Sequence, residues 1–150
     1  MPSIDLPFDE LRRPEVTPAG SAAELAHAGL AWVILVLADL ALQLLGFHRF
    51  YRLVEGWPVL GSVPEVSRGD RARQTLTAVD RARTYYFRHA RCLQRAVAAV
   101  CFLRMRGVRG ELVIGVRKIP FQAHAWMELD GEIVNDDPAL LSKYQVITRC

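Results

Sequence analysis

From Leu25 to Ala38 fourteen successive residues carry no charge, and no other part of the chain is as apolar. Ser21 stands three residues before Glu24, the spacing of a capping box, so a helix is expected to start there. It should run through Leu25–Leu45 and stop at Gly46 in a left-handed cap. Gly56, Pro58, Gly61, Pro64 and Gly69 mark a connector, after which Asp70 is placed to cap an arginine-rich helix reaching about Phe87. A second apolar helix is expected from near Cys92 to Met105, ending before Gly107. Leu93, Ala96, Val97, Ala98, Ala99, Val100, Phe102 and Leu103 surround it almost completely, the pattern of a buried central helix. Then the period changes. Glu111–Arg117 is rich in β-branched residues, and Gln122–Leu129 alternates between two faces. Asp130-Gly131 turns the chain into residues 132–136, and Pro138 ends the ladder. Helices first and an antiparallel sheet afterwards predict an α+β fold, with the buried helix packed on the sheet.

The apolar helix raises the question of a membrane. Its uncharged run is shorter than the ~20 residues a hydrocarbon core requires. Lengthening it buries Asp39 in lipid, at about 2.5–3.5 kcal/mol on insertion scales. A span is therefore not expected; a helix buried in the protein or partly exposed to a partner is.

Length and charge narrow the picture. The 150 residues suffice for one domain with its own core. Within it, residues 1–20 (four prolines) read as an extended arm, 21–69 as the apolar helical region and connector, and 70–150 as the core bearing the chemistry. A net charge of +3 is too small to argue for nucleic acid. Arg71, Arg73, Arg81, Arg83, Arg88, Arg91 and Arg95 nevertheless crowd one stretch, either a solvated helix face or a surface for an acidic peptide or protein. Three cysteines in no repeating pattern argue against a disulfide framework or a metal knuckle. With no secretory signal at the start, a reducing cytoplasm is the expected compartment. No phosphate-cradling loop or metal-ligand spacing is present, so no cofactor is expected.

The candidate chemistry lies in the second half. Cys92 falls in the first turn of its helix, where unpaired N–H groups and the helix dipole favour a thiolate. Cys101, in the middle of the same helix, reads as a small buried hydrophobe, and terminal Cys150 lacks a scaffold to hold it. Along the second strand Ala123, Ala125, Met127 and Leu129 make the core face. His124 shares the other face with Trp126, where a cleft can lie. The hairpin brings an acid to the imidazole. A three-residue turn including Leu129 sets His124 against Asp136, and a two-residue turn sets it against Asp137. Thiol, imidazole and carboxylate in this order are what a thiol hydrolase or acyl transferase needs.

Taken together, Cys92-Leu93-Gln94-Arg95, Arg106-Gly107-Val108, Glu111–Val116, His124-Ala125-Trp126-Met127-Glu128 and Gly131–Asp136 resemble the lasso peptide B2 proteins. These are leader peptidases of the transglutaminase-like, papain-like cysteine protease superfamily. The resemblance is close over residues 91–138 and looser over the apolar helix, Phe47-His48-Arg49-Phe50 and the arginine-rich helix. It implies Cys92 as nucleophile, His124 as general base and Asp136, rather than Asp137, as the orienting acid. One departure is Ala96, where the family usually has serine. The resemblance further implies a stand-alone cytoplasmic protease that cuts leader from core in a ribosomally made precursor peptide. A small leader-binding recognition-element protein (split B1 type) would deliver the precursor. A separate ATP-dependent synthetase would then close the macrolactam. The alternatives are another acyl transfer at the same residues, such as transglutaminase or amidase chemistry, and a non-catalytic partner-binding or membrane-associated module.

Overall fold

The computed structural model describes residues 20–86 and 91–150. The expected arm up to residue 19, and Phe87, Arg88 and His89, lie outside the described residues. Ser21 and Glu24 form the capping box in both directions, opening helix α1, Ala22–Glu55. Gly46 does leave the helical conformation, but as a kink (φ 74°, ψ 167°) after which the helix resumes, where the sequence suggested a stop. That backbone region is open essentially to glycine alone. Ala31, Ile34, Leu35, Ala38, Phe50 and Val54 bury one side of α1, while Leu25, Leu37, Leu44 and Phe47 face solvent. By length and composition α1 is able to cross a membrane.

Helix α2, Glu65–Thr84, begins six residues earlier than expected, with Pro64 at its N-cap, so Asp70 lies inside it rather than capping it. Proline suits a helix start, because its fixed φ and missing N–H cost nothing there. The arginines of this stretch are largely engaged within the protein. Arg71 donates to the Arg106 carbonyl at 3.2 Å, while Arg73 pairs with Asp70, Arg81 with Glu24 and Arg83 with Asp80. Helix α3 spans Cys92–Met105, as its apolar composition predicts, with residues 96–103 all buried.

The sheet order is β3-β2-β1-β4, antiparallel throughout. Strands β1 (Glu111–Arg117) and β2 (Gln122–Leu129) occur as expected, and β3 is only Glu132–Ile133. After Pro138 the chain forms a short helix α4, Pro138–Leu141, and returns as edge strand β4, Gln145–Arg149. Neither element is expected from the sequence pattern, in which Pro138 ends the ladder. Cys150, expected to lack a scaffold, is pinned to Leu112 by two backbone hydrogen bonds of 2.8 and 3.0 Å.

One apolar cluster joins α1, α2, α3 and the sheet face carrying Ala125, Met127 and Leu129. The opposite sheet face is also covered. Val113, Trp126 and Leu141 are buried there, with Ile133 and Tyr144 against them. The cleft expected beside Trp126 is therefore filled by α4 and Tyr144. Gly115 makes room for this packing, since a Cβ there would lie 2.7 Å from the Trp126 ring. The architecture is α+β: three helices on one side of a four-stranded antiparallel sheet.

Candidate active site

Strand β2 ends in a two-residue turn in which Asp130 (φ 52°) and Gly131 (φ 84°) both have positive φ, the signature of a type I′ hairpin. The register follows: Glu128 opposes Ile133 and Leu129 opposes Glu132. Continued, that register would set His124 against Asp137. The ladder does not continue. Its last backbone bond runs from the Val134 N–H to the Met127 carbonyl. The Met127 N–H is then taken by the side-chain oxygen of Asn135, at 2.7 Å. With the edge closed by a side chain, the chain is free to turn away, and Asp136 rather than Asp137 reaches the imidazole. Asp137 caps α4 instead, accepting the Ala139 N–H at 2.9 Å.

Asp136 Oδ2 lies 2.5 Å from His124 Nε2, with both side chains about one-fifth exposed. A carboxylate only accepts, so Nε2 carries the proton, and the lone pair of a neutral ring is left on Nδ1. Nδ1 is therefore the basic atom of the pair. The ring is fixed from two further sides. Trp126 stacks on it at 6.3 Å between centroids, and Tyr144 lies 5.6 Å away. Tyr144 went unnoticed in the sequence because only the return of the chain through α4 brings it under His124.

Helix α3 packs against β2, and its first turn reaches the segment that carries Asp136. Arg95 provides the visible link: its guanidinium donates to the Asn135 carbonyl, adjacent to Asp136, at 3.2 Å, and grips Asp80 of α2. Cys92, half-buried, opens this turn. The N-cap is Arg91, which supplies no side-chain acceptor to the first N–H groups. A helix start left without a capping side chain offers donors to a ligand or a developing negative charge. The other two thiols sit in different settings. Burial pushes Cys101 up to about 12 and raises Cys150 as well, so neither suits nucleophilic work near neutrality.

The Transglutaminase-like superfamily model matches residues 32–149. Among curated proteins, the microcin J25-processing protein McjB of Escherichia coli is 41% identical over 56 residues. That stretch is 37% of this chain and 27% of the relative, so the chain matches only about a quarter of that relative's length. No solved structure gives a significant match. The family match extends from α1 through β4, across both the helical layer and the whole sheet. The chain belongs to the transglutaminase-like superfamily.

Proposed function

We propose that the chain is a cysteine peptidase that removes the leader from a ribosomally made lasso peptide precursor. The observation that carries this reading is the His124–Asp136 pair, held by Trp126 and Tyr144, with Arg95 in the first turn of α3 bonded to the carbonyl that precedes Asp136. The superfamily supports thiol-based acyl chemistry, and the partial likeness to a microcin-processing protein favours cleavage of a peptide precursor.

In this reading Cys92 gives its proton to His124 Nδ1, and the thiolate attacks the scissile carbonyl carbon. N–H groups at the start of α3 bind the oxyanion. The imidazolium, stabilised by Asp136, returns the proton to the leaving amine, and the core peptide departs. Water, deprotonated by Nδ1, then attacks the leader thioester and releases the leader as a carboxylic acid. A leader-binding recognition-element protein delivers the precursor, and an ATP-dependent synthetase consumes the freed core amine in the cytoplasm.

The test is incubation with precursor, with and without the leader-binding partner, followed by mass spectrometry. Two peptides whose masses sum to precursor plus one water are expected, and Cys92→Ala should yield neither. Loss of ammonia, or a crosslinked product, would instead assign transglutaminase or amidase chemistry to the same residues.

A further inference from the structure

The acid in the middle of the apolar helix has a specific task. Asp39 Oδ1 accepts from Gln94 Nε2 at 3.2 Å, while Oδ2 accepts from Gln43 at 2.8 Å and from the Tyr86 hydroxyl at 3.3 Å. Gln94 lies in the first turn of α3, two residues after Cys92, and is 8% exposed. A carboxylate has nothing to donate, so it fixes which end of the Gln94 amide it meets. The nitrogen turns to Asp39, and Oε1 is left buried without a hydrogen-bond partner among the described residues. An unsatisfied buried acceptor is costly, and a residue retained only for packing has no need to carry one.

Among the described residues no side chain caps the first turn of α3, and helix ends fray. Two successive residues tether it. Arg95 reaches Asp80 and the Asn135 carbonyl, and Gln94 reaches Asp39 on α1. Successive helical residues point about 100° apart, so these tethers hold the turn from two directions.

We propose that Asp39 and Gln94 form a positioning pair that sets the first turn of α3, and with it Cys92, against His124. This rests on the peptidase reading above for its cleavage assay, though not for its alkylation assay. Neither residue touches the reacting atoms; the pair acts through the placement of the thiol.

The experiment compares wild type with Asp39→Leu and with the double variant Asp39→Leu/Gln94→Met. The single variant strands the Gln94 amide and is expected to melt at a lower temperature. The double variant replaces the Asp39–Gln94 pair with apolar groups of similar shape; Tyr86 and Gln43 still lose their acceptor, so it is expected to melt below wild type but not below the single variant, whose Gln94 amide is stranded as well. Its cleavage rate constant should still fall about 10- to 100-fold with KM unchanged, the scale of an ångström-level misplacement. Alkylation of Cys92 by iodoacetamide should slow in parallel, with Cys150 as the internal reference. A double variant that cleaves and alkylates at wild-type rates overturns the proposal, and so does a loss that merely follows melting temperature. If wild type alkylates selectively at Cys92 but cleaves no precursor, the peptidase reading fails. The alkylation comparison then still decides the role of the pair.

Discussion

The two ends of α3 are built on opposite plans. At its head, Gln94 and Arg95 bond polar partners on three other segments, and among the described residues no side chain caps the helix and one amide oxygen is left unpaired. At its tail everything polar is closed off. Arg104, 3% exposed, donates to the Gly110 carbonyl at 3.0 Å and to the Val54 carbonyl at 2.8 Å, terminating α1 and the loop into β1 together. Around it Cys101, Phe102 and Leu103 are buried in the main cluster. One helix thus carries an end wired for chemistry and an end wired for stability. The same residue type, cysteine, takes its character from its place along the helix.

Substitutions can break this contrast. The largest effect is expected from Cys92→Ala, which should lower precursor cleavage by at least about 10⁴-fold. Cys101→Ala should leave turnover intact and appear only as a lower melting temperature. Comparable cleavage loss in both would erase the distinction between the ends. Next comes the acid. Asp136→Asn should slow turnover by about 10²- to 10⁴-fold through loss of tautomer control, measured as single-turnover cleavage. Its neighbour Asp137→Asn should cost no more than the ~1 kcal/mol of a helix cap, with the rate preserved.

At the tail, Arg104→Met removes the donor to the Gly110 carbonyl and the charged donor to the Val54 carbonyl, which keeps the Trp57 N–H, and should cost about 2 kcal/mol in urea denaturation, without a specific change in cleavage per folded molecule. The smallest effect concerns pH. Burial raises the Cys101 thiol to about 12, above its unfolded value, so the native state holds that proton more tightly. The associated stability is complete below the unfolded pKa and is lost as pH rises through the folded one. Above pH ~9 the unfolding free energy from urea titrations should therefore decline, with a slope of up to about 1.4 kcal/mol per pH unit from this thiol. Cys101→Val should flatten the slope, and an unchanged slope would contradict the burial argument.

Periodicity made α3, β1 and β2 legible, because each satisfies a single requirement along its whole length: burial on nearly all sides, or alternation. It also exposed His124 and the acids after the hairpin. Turn rules alone would have chosen wrongly between those acids. The turn is the two-residue form that points to Asp137, yet the Asn135 side chain ends the ladder before the register reaches that far. The family resemblance pointed to Asp136 without supplying this reason. β4 was hidden behind Pro138, where a stop in one strand looked like the end of the sheet. Arg104 was illegible for a different cause. A charged residue in an apolar helix reads as solvent-facing until the carbonyls that surround it are known.

The bend at Gly46 takes on meaning from the two points where α1 grips α3. Asp39 meets the head of α3 and Val54 its tail, so both helices run in the same direction between shared anchors. Fifteen residues separate the anchors along α1 and ten along α3, or about 22 and 15 Å for straight helices at ~1.5 Å per residue. The only residue of α1 outside helical geometry stands midway between them. Nothing lies within 4 Å of a Cβ built there, so Gly46→Ala would meet no steric obstacle and would act through backbone strain alone. Relieving that strain by straightening would slide one anchor past its mate. An alanine remote from every reactive atom would then retune the whole gauge by which the thiol is set.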